Sequence, residues 1–285
     1  MLKILCSVML LISQMGCSEK EPLIPVNIIE PLKKTYSEEE KSLINEEMKT
    51  IDEKAFSKAQ KKKIYLATAG GPGACKSTIL EKRLGEENDL GYAYLDPDRV
   101  ALLSMDRTFA KDRENDPKAA YKKWRDASNF ITNTLLNKAF GGGYNIAHGT
   151  TSTGATMGNF YKKLKAEGYK IHLIMCSSPE DARLAAIKYR DEVQKFVQST
   201  QEDIINKGKM YYDRFPVYAE YADDIEFFWT GYFKEGSIKA ATWTREKGLF
   251  ILNQEAFSKI EKDYNEHKKE GSKNFNELFA VSVKN

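Results

Sequence analysis

A chain of 285 residues with 41% hydrophobic and 30% charged side chains can bury a sizeable core, as one domain or at most two. Its 44 basic and 41 acidic residues leave a formal charge of +3, which argues for no nucleic-acid or other polyanionic partner. The Lys61, Lys62, Lys63 run then reads as a solvated edge ahead of a buried strand.

In chain order, Lys3 precedes an apolar run from about Ile4 to Ile12, and Gly16 stands before Cys17. The run is shorter than the roughly 20 residues a membrane span needs, so it reads as the apolar centre of a secretory leader. Its end resembles a bacterial lipoprotein signal, with Gln14 where such signals prefer Leu, Val or Ile. Residues 1–17 are therefore expected to be a leader with Cys17 acylated, giving an exported protein held to a membrane by lipid alone. If the segment is not a working signal, the protein is cytoplasmic. Removal of the leader leaves Cys75 and Cys176, too few for a disulfide framework, and His148, His172 and His267 are too scattered for a metal motif. Residues 18–36, with Pro22, Pro25 and Pro31, read as a linker, and 37–285 as the folded domain.

Ser37 and Glu40 form a capping-box signature, and Ile44, Met48, Ile51 and Ala55 then follow at helical spacing. IYLATA (64–69) reads as a buried strand, followed by a glycine-rich turn and a helix over about 76–84. Strand YAYL (92–95), a long helix over 117–140 ending at Gly141, Gly142 and Gly143, strand YNIAH (144–148) and a helix over 155–166 follow. Strand KIHLIMC (170–176), helices near 179–197 and 202–219, strand IEFFW (225–229), a hairpin over 239–252 and a helix over 255–269 complete the chain. Strands alternating with helices predict an α/β fold whose parallel sheet carries helices on both faces, with ligands at the carboxyl ends of the strands.

The stretch ATAGGPGACKSTIL (67–80) supplies the parts of a phosphate-binding loop in order. Gly70, Gly71, Pro72, Gly73, Ala74 and Cys75 make the turn whose backbone N–H groups face phosphate. Lys76 neutralises the β- and γ-phosphates, Ser77 holds Mg²⁺, and Thr78 continues the opening helix, so ATP and Mg²⁺ are the implied cofactors. Cys75 departs from the pattern, which has glycine there. A positive φ at that position would strain the cysteine by roughly 1 to 3 kcal/mol, and a close approach to phosphate would weaken nucleotide binding. LDPDRV (95–100) places Asp96 and Asp98 beside the loop. There one carboxylate can take the proton of an attacking hydroxyl, while Asp96 reads more simply as a cap on the turn after it. Thr150, Thr151, Ser152 and Thr153, after the next strand, can bond a polar substrate or simply make turns. Arg183 and Arg190, at i and i+7, offer one arginine to the transferred phosphate, or two solvated charges.

GGPGACKSTI, LDPDRV, NIAHGTTSTGATMGNFYKKLKAEGYKIHLIMC and ARLAAIKYRDE, in this order, resemble the zeta toxin family of bacterial P-loop kinases over about Glu39 to Phe228. The resemblance implies a P-loop NTPase-type fold and ATP-dependent phosphorylation of a small-molecule hydroxyl, UDP-N-acetylglucosamine and related nucleotide sugars being the family's best-known substrates. It implies Asp98 as catalytic carboxylate, Lys76 as loop lysine and Arg190 as phosphate-contacting arginine. Arg99, His148, Thr150 and Thr151 join Asp98 on the substrate side, and an antitoxin or immunity protein is the implied partner. The chain departs from the family at His148, where an acidic residue is common. It also lacks the second arginine expected a dozen or so residues after Arg190, with Lys195 or Arg214 as substitutes. A different class of reading stays open: an exported lipoprotein with a degenerate P-loop fold that binds a ligand or partner without catalysis.

Overall fold

The computed structural model describes residues 21–25, 32, 36–193, 200–232 and 236–280. The elements are α1 (Glu38–Phe56), β1 (Ile64–Ala69), α2 (Lys76–Glu86), β2 (Ala93–Leu95), α3 (Phe109–Arg113), α4 (Pro117–Gly142), β3 (Ile146–His148), α5 (Met157–Ala166) and β4 (Lys170–Ser177). They continue with α6 (Glu180–Val193), α7 (Gln201–Asp213), α8 (Phe215–Tyr221), β5 (Asp224–Thr230), β6 (Ser237–Thr244), β7 (Gly248–Ile251), α9 (Gln254–His267) and α10 (Phe275–Leu278).

The strands form one sheet in the order β2-β3-β1-β4-β5-β6-β7. The first five are parallel, and β6 and β7 run antiparallel as the expected hairpin. β1 is flanked by β3 and β4, with Tyr65 in register with both Ile146 and Ile171. The connection after β1 runs toward the β2 edge and the one after β3 crosses back to β4, which opens a crevice at the carboxyl end of β1.

Alternation along β1 and β4 divides the core. Tyr65, Ala67, Ala69, Leu173 and Met175 join the large cluster formed with α1, α4, α5, α8 and α9, whereas Leu66, Ile174 and Cys176 join Ile79 and Leu80 of α2 on the opposite face. Helices cover both faces, as expected, but unequally.

Several elements differ from the sequence expectation, the short α10 among them. The helix read over 202–219 is two helices, broken at Arg214, because Pro216 lacks the N–H that a continuing helix would donate to the carbonyl four residues back and its ring crowds that carbonyl, whereas it is tolerated in the first turn of a new helix. A wide helical turn at Pro97–Ala101 and the short α3 were not foreseen, being too short to show a period. Glu47, buried on α1, fixes the latter: its Oε1 accepts from Arg107 N at 2.7 Å and its Oε2 from the Thr108 hydroxyl at 2.8 Å. Finally, the described part of the expected linker is docked. Leu23 is buried, Ile24 N donates to Asn137 Oδ1 at 2.7 Å, and Asn137 Nδ2 donates back to Ile24 O at 3.0 Å. Cys17 and the expected leader lie outside the described residues, among which no helix is long and apolar enough to cross a membrane.

Candidate active site

At the carboxyl ends of β1, β2 and β3 lies a cleft of about 550 Å³. Pro72, Gly73, Ala74, Cys75, Lys76, Ser77 and Thr78 line one wall. Gly70 and Gly71 form its root: Gly70 N donates to Thr151 O at 3.1 Å, and Gly71 O accepts from Lys76 Nζ at 2.7 Å. The loop is seated closely on the start of α6. Gly73 has φ +85°, and a Cβ there would come within 2.5 Å of Arg183 O.

Cys75 answers the question its position raised. Its φ of 54° and ψ of 15° are left-handed, so the backbone does need the conformation glycine adopts freely. Burial raises the thiol's pKa against the pull of Arg190 and Lys76, so the group stays protonated at neutral pH. No side chain caps the start of α2, which leaves its first N–H groups to the cleft, at the positive end of the helix dipole. Burial is the main force lowering the Lys76 pKa to about 8, with Arg190 and Arg183 adding to it and Cys176 and Asp96 opposing it.

Both carboxylates of the turn after β2 reach the cleft. Asp96 Oδ1 caps that turn by accepting from Asp98 N and Arg99 N, both at 2.8 Å, as its simpler reading required. Its Oδ2 does more, since it accepts from the Ser77 hydroxyl at 3.4 Å, and burial raises its pKa. Two hard oxygen donors are thus paired beside the phosphate wall, a set suited to a Mg²⁺ ion that takes its remaining ligands from phosphate and water. Asp98 is ion-paired with Arg125 and hydrogen-bonded by Tyr121, one turn apart on α4.

Arg99, His148, Thr150 and Thr151 also line the cleft. His148 is neutral, its pKa lowered by burial to about 4, and its Nδ1 pairs with Tyr65 OH at 2.8 Å. Thr150 and Thr151 do make a turn: Thr68 Oγ1 donates to Thr150 O at 2.6 Å, and Thr150 Oγ1 accepts from Ser152 N at 3.1 Å.

The two arginines of α6 separate. Arg190 lines the cleft close to Asp98 and Cys75, whereas Arg183 dives under the phosphate loop, 5% exposed, and donates through Nη1 to Ile204 O at 2.7 Å. Of the two substitutes named for a second cationic contact, Arg214 does not line the cleft and bonds Thr153 O at 3.4 Å instead, and Lys195 lies outside the described residues. Lys207, on α7, lines the cleft in their place. Sequence reasoning also missed Tyr121, Arg125, Asn129, Thr132 and Asn133, which line the cleft from α4, and Asp203 from α7. The only available signal was their spacing at helical intervals on a long helix.

A family model described as "Zeta toxin" matches residues 47–210, more than half of the chain. The chain belongs to the zeta toxin family. This zeta toxin family member shares its fold with three solved structures at low identity. One, the AvrRxo1-ORF1:-ORF2 complex, has 12% identity and a TM-score of 0.58 over 82% of this chain and 81% of that one. The same pair with ATP gives 13% identity and a TM-score of 0.61 over 81% of this chain and 76% of that one. A structure from the PezAT chromosomal toxin–antitoxin system of Streptococcus pneumoniae gives 15% identity and a TM-score of 0.55, covering 81% of this chain and 97% of that one. No curated protein matches the chain. The family and the fold make this zeta toxin family member kinase-like, a P-loop α/β protein.

Proposed function

We propose that this chain transfers the γ-phosphoryl group of ATP to a hydroxyl of a small molecule, with a nucleotide sugar such as UDP-N-acetylglucosamine as first candidate. The observation that carries the reading is the placement of Asp98 in one cleft with Lys76, Arg190 and the uncapped start of α2. The backbone N–H groups of residues 73–77 and the Lys76 ammonium hold the phosphates, and Arg190 balances charge as it spreads over the transferred group. Asp98 accepts the proton of the acceptor hydroxyl. The acceptor oxygen then forms its bond to the γ-phosphorus as the bond to the β,γ-bridging oxygen breaks, and ADP leaves with that electron pair. Ser77 and Asp96 are the residues that would hold Mg²⁺, which supplies charge neutralisation on the phosphates when bound. A structural relative solved with ATP supports the choice of nucleotide. Relatives solved as a two-protein complex, or within a toxin–antitoxin system, support a protein partner that restrains the activity.

The test is a γ-phosphate transfer screen over nucleotide sugars, nucleosides, dinucleotides and oligonucleotides, with Lys76→Ala as control. Transfer to one acceptor class by the wild type and not by the control is expected. Tight Mg·ATP binding without transfer to any acceptor would favour a binding protein instead.

A further inference from the structure

One face of α4 carries polar residues that neither the phosphate loop nor the Asp98 turn explains. Tyr121, Arg125, Asn129, Thr132 and Asn133 stand at i, i+4, i+8, i+11 and i+12, so they share one side of the helix, and all five line the cleft. At one end of this stripe Arg125 and Tyr121 engage the Asp98 carboxylate, and the Arg125 guanidinium lies 5.7 Å from the Tyr121 ring centroid. At the other end Thr132 is 4% exposed, and its hydroxyl has no hydrogen-bond partner among the described residues. A threonine inside a helix ordinarily bonds a carbonyl one turn back, as the neighbouring Ser128 does to Arg125 O at 2.9 Å. A buried hydroxyl that forgoes this and faces a cleft is matched to a group that enters the cleft. The Thr134 hydroxyl is also unpartnered but does not line the cleft, so Thr132 alone of the two combines both properties.

We propose that this face of α4 is the acceptor wall: Arg125 and Tyr121 are positioning residues that aim the Asp98 carboxylate, and the Thr132 hydroxyl, flanked by Asn129 and Asn133, hydrogen-bonds a hydroxyl of the acceptor. The inference rests on the phosphotransferase reading above. Seven residues separate Arg125 from Thr132, about 10 Å of helix rise. The acceptor therefore extends well beyond one sugar ring from the oxygen that is phosphorylated, as a polyhydroxylated glycosyl unit joined to a second group does.

The experiment uses the full chain with UDP-N-acetylglucosamine and free N-acetylglucosamine as probes, measuring acceptor KM, kcat and the nucleotide Kd separately. Thr132→Val, which keeps shape and removes the hydroxyl, is expected to raise KM for the long acceptor about tenfold with the nucleotide Kd unmoved. Thr134→Val is expected to change nothing. Arg125→Met is expected to lower kcat about a hundredfold at little cost in acceptor KM, and Arg125→Lys to recover part of that loss. Unchanged acceptor KM in Thr132→Val, or equal loss of kcat in Arg125→Lys and Arg125→Met, overturns the acceptor wall while leaving the kinase reading in place. A wild type that transfers phosphate to neither probe nor to any member of the wider panel overturns both.

Discussion

The phosphate wall of the cleft is one contiguous stretch of chain, held from beneath by backbone contacts such as Gly70 N to Thr151 O and the fit of Gly73 against Arg183 O. The α4 wall is assembled from single side chains on successive helical turns, over a core of Trp124, Ile131, Leu135 and Leu136 that keeps the helix in place whatever its cleft-facing residues are. The first wall is a shape made by backbone, and a Cβ added at Gly70, Gly71 or Gly73 would meet a neighbouring atom within 2.7 Å. The second is a set of side chains, open to exchange at little cost to the fold. On the proposed function, nucleotide recognition rests on the loop and acceptor recognition on exchangeable side chains.

Substitutions on the loop wall should therefore strike nucleotide binding and stability, and those on the α4 wall transfer alone. Lys76→Ala is expected to have the largest effect, removing transfer by at least about a thousandfold together with much of the Mg·ATP affinity, read by radiolabel transfer and calorimetry. Gly73→Ala comes next. Its methyl would meet Arg183 O at 2.5 Å at a φ of +85°, so a loss of about 3 kcal/mol in stability and of detectable nucleotide binding is expected by denaturant melting and titration.

A smaller effect follows from Lys76 itself. Its pKa in the fold, about 8, lies below the ordinary 10.5, so the charged form is disfavoured until phosphate arrives. Nucleotide binding then takes up a proton above pH 8, and Kd should rise by up to tenfold per pH unit there, whereas Lys76→Arg should flatten the profile. By the same linkage the unfolded chain binds more protons between about pH 8 and 10.5, so this group contributes stability that grows across that window. The smallest effect is expected at Cys75→Gly. Relief of the left-handed cysteine is offset by the greater freedom of glycine in the unfolded chain, leaving a net gain within about 1 kcal/mol and a modest rise in ATP affinity.

What could be read in the sequence follows the same division. The loop is legible because its parts adjoin: strand 64–69, the glycines, Lys76 and Ser77 carry their order and spacing into space unchanged. Asp98 is legible because the Asp96 cap holds it a fixed three residues past the end of β2. By spacing alone Arg183 is not distinguishable from Arg190, since both fall on one side of α6, and only the family resemblance favours Arg190. What separates them is the missing side chain of Gly208 on α7, where a Cβ would lie 2.3 Å from Arg183 Nη2, a gap that only tertiary packing creates. Arg125 and Thr132 were hidden for a like reason. On α4 they look like ordinary members of an amphipathic helix until β2, β3 and the Asp98 turn are set beside them.

On the proposed function, Asp98 serves the chemical step and not nucleotide binding. The most direct test of this is single-turnover γ-phosphate transfer by Asp98→Asn on the acceptor found in the screen, with Mg·ATP affinity measured on the same preparation. A fall of about a hundredfold to ten-thousandfold in transfer with an unchanged nucleotide Kd is the predicted result. Parallel loss of transfer and ATP affinity, or transfer at the wild-type rate, would contradict it.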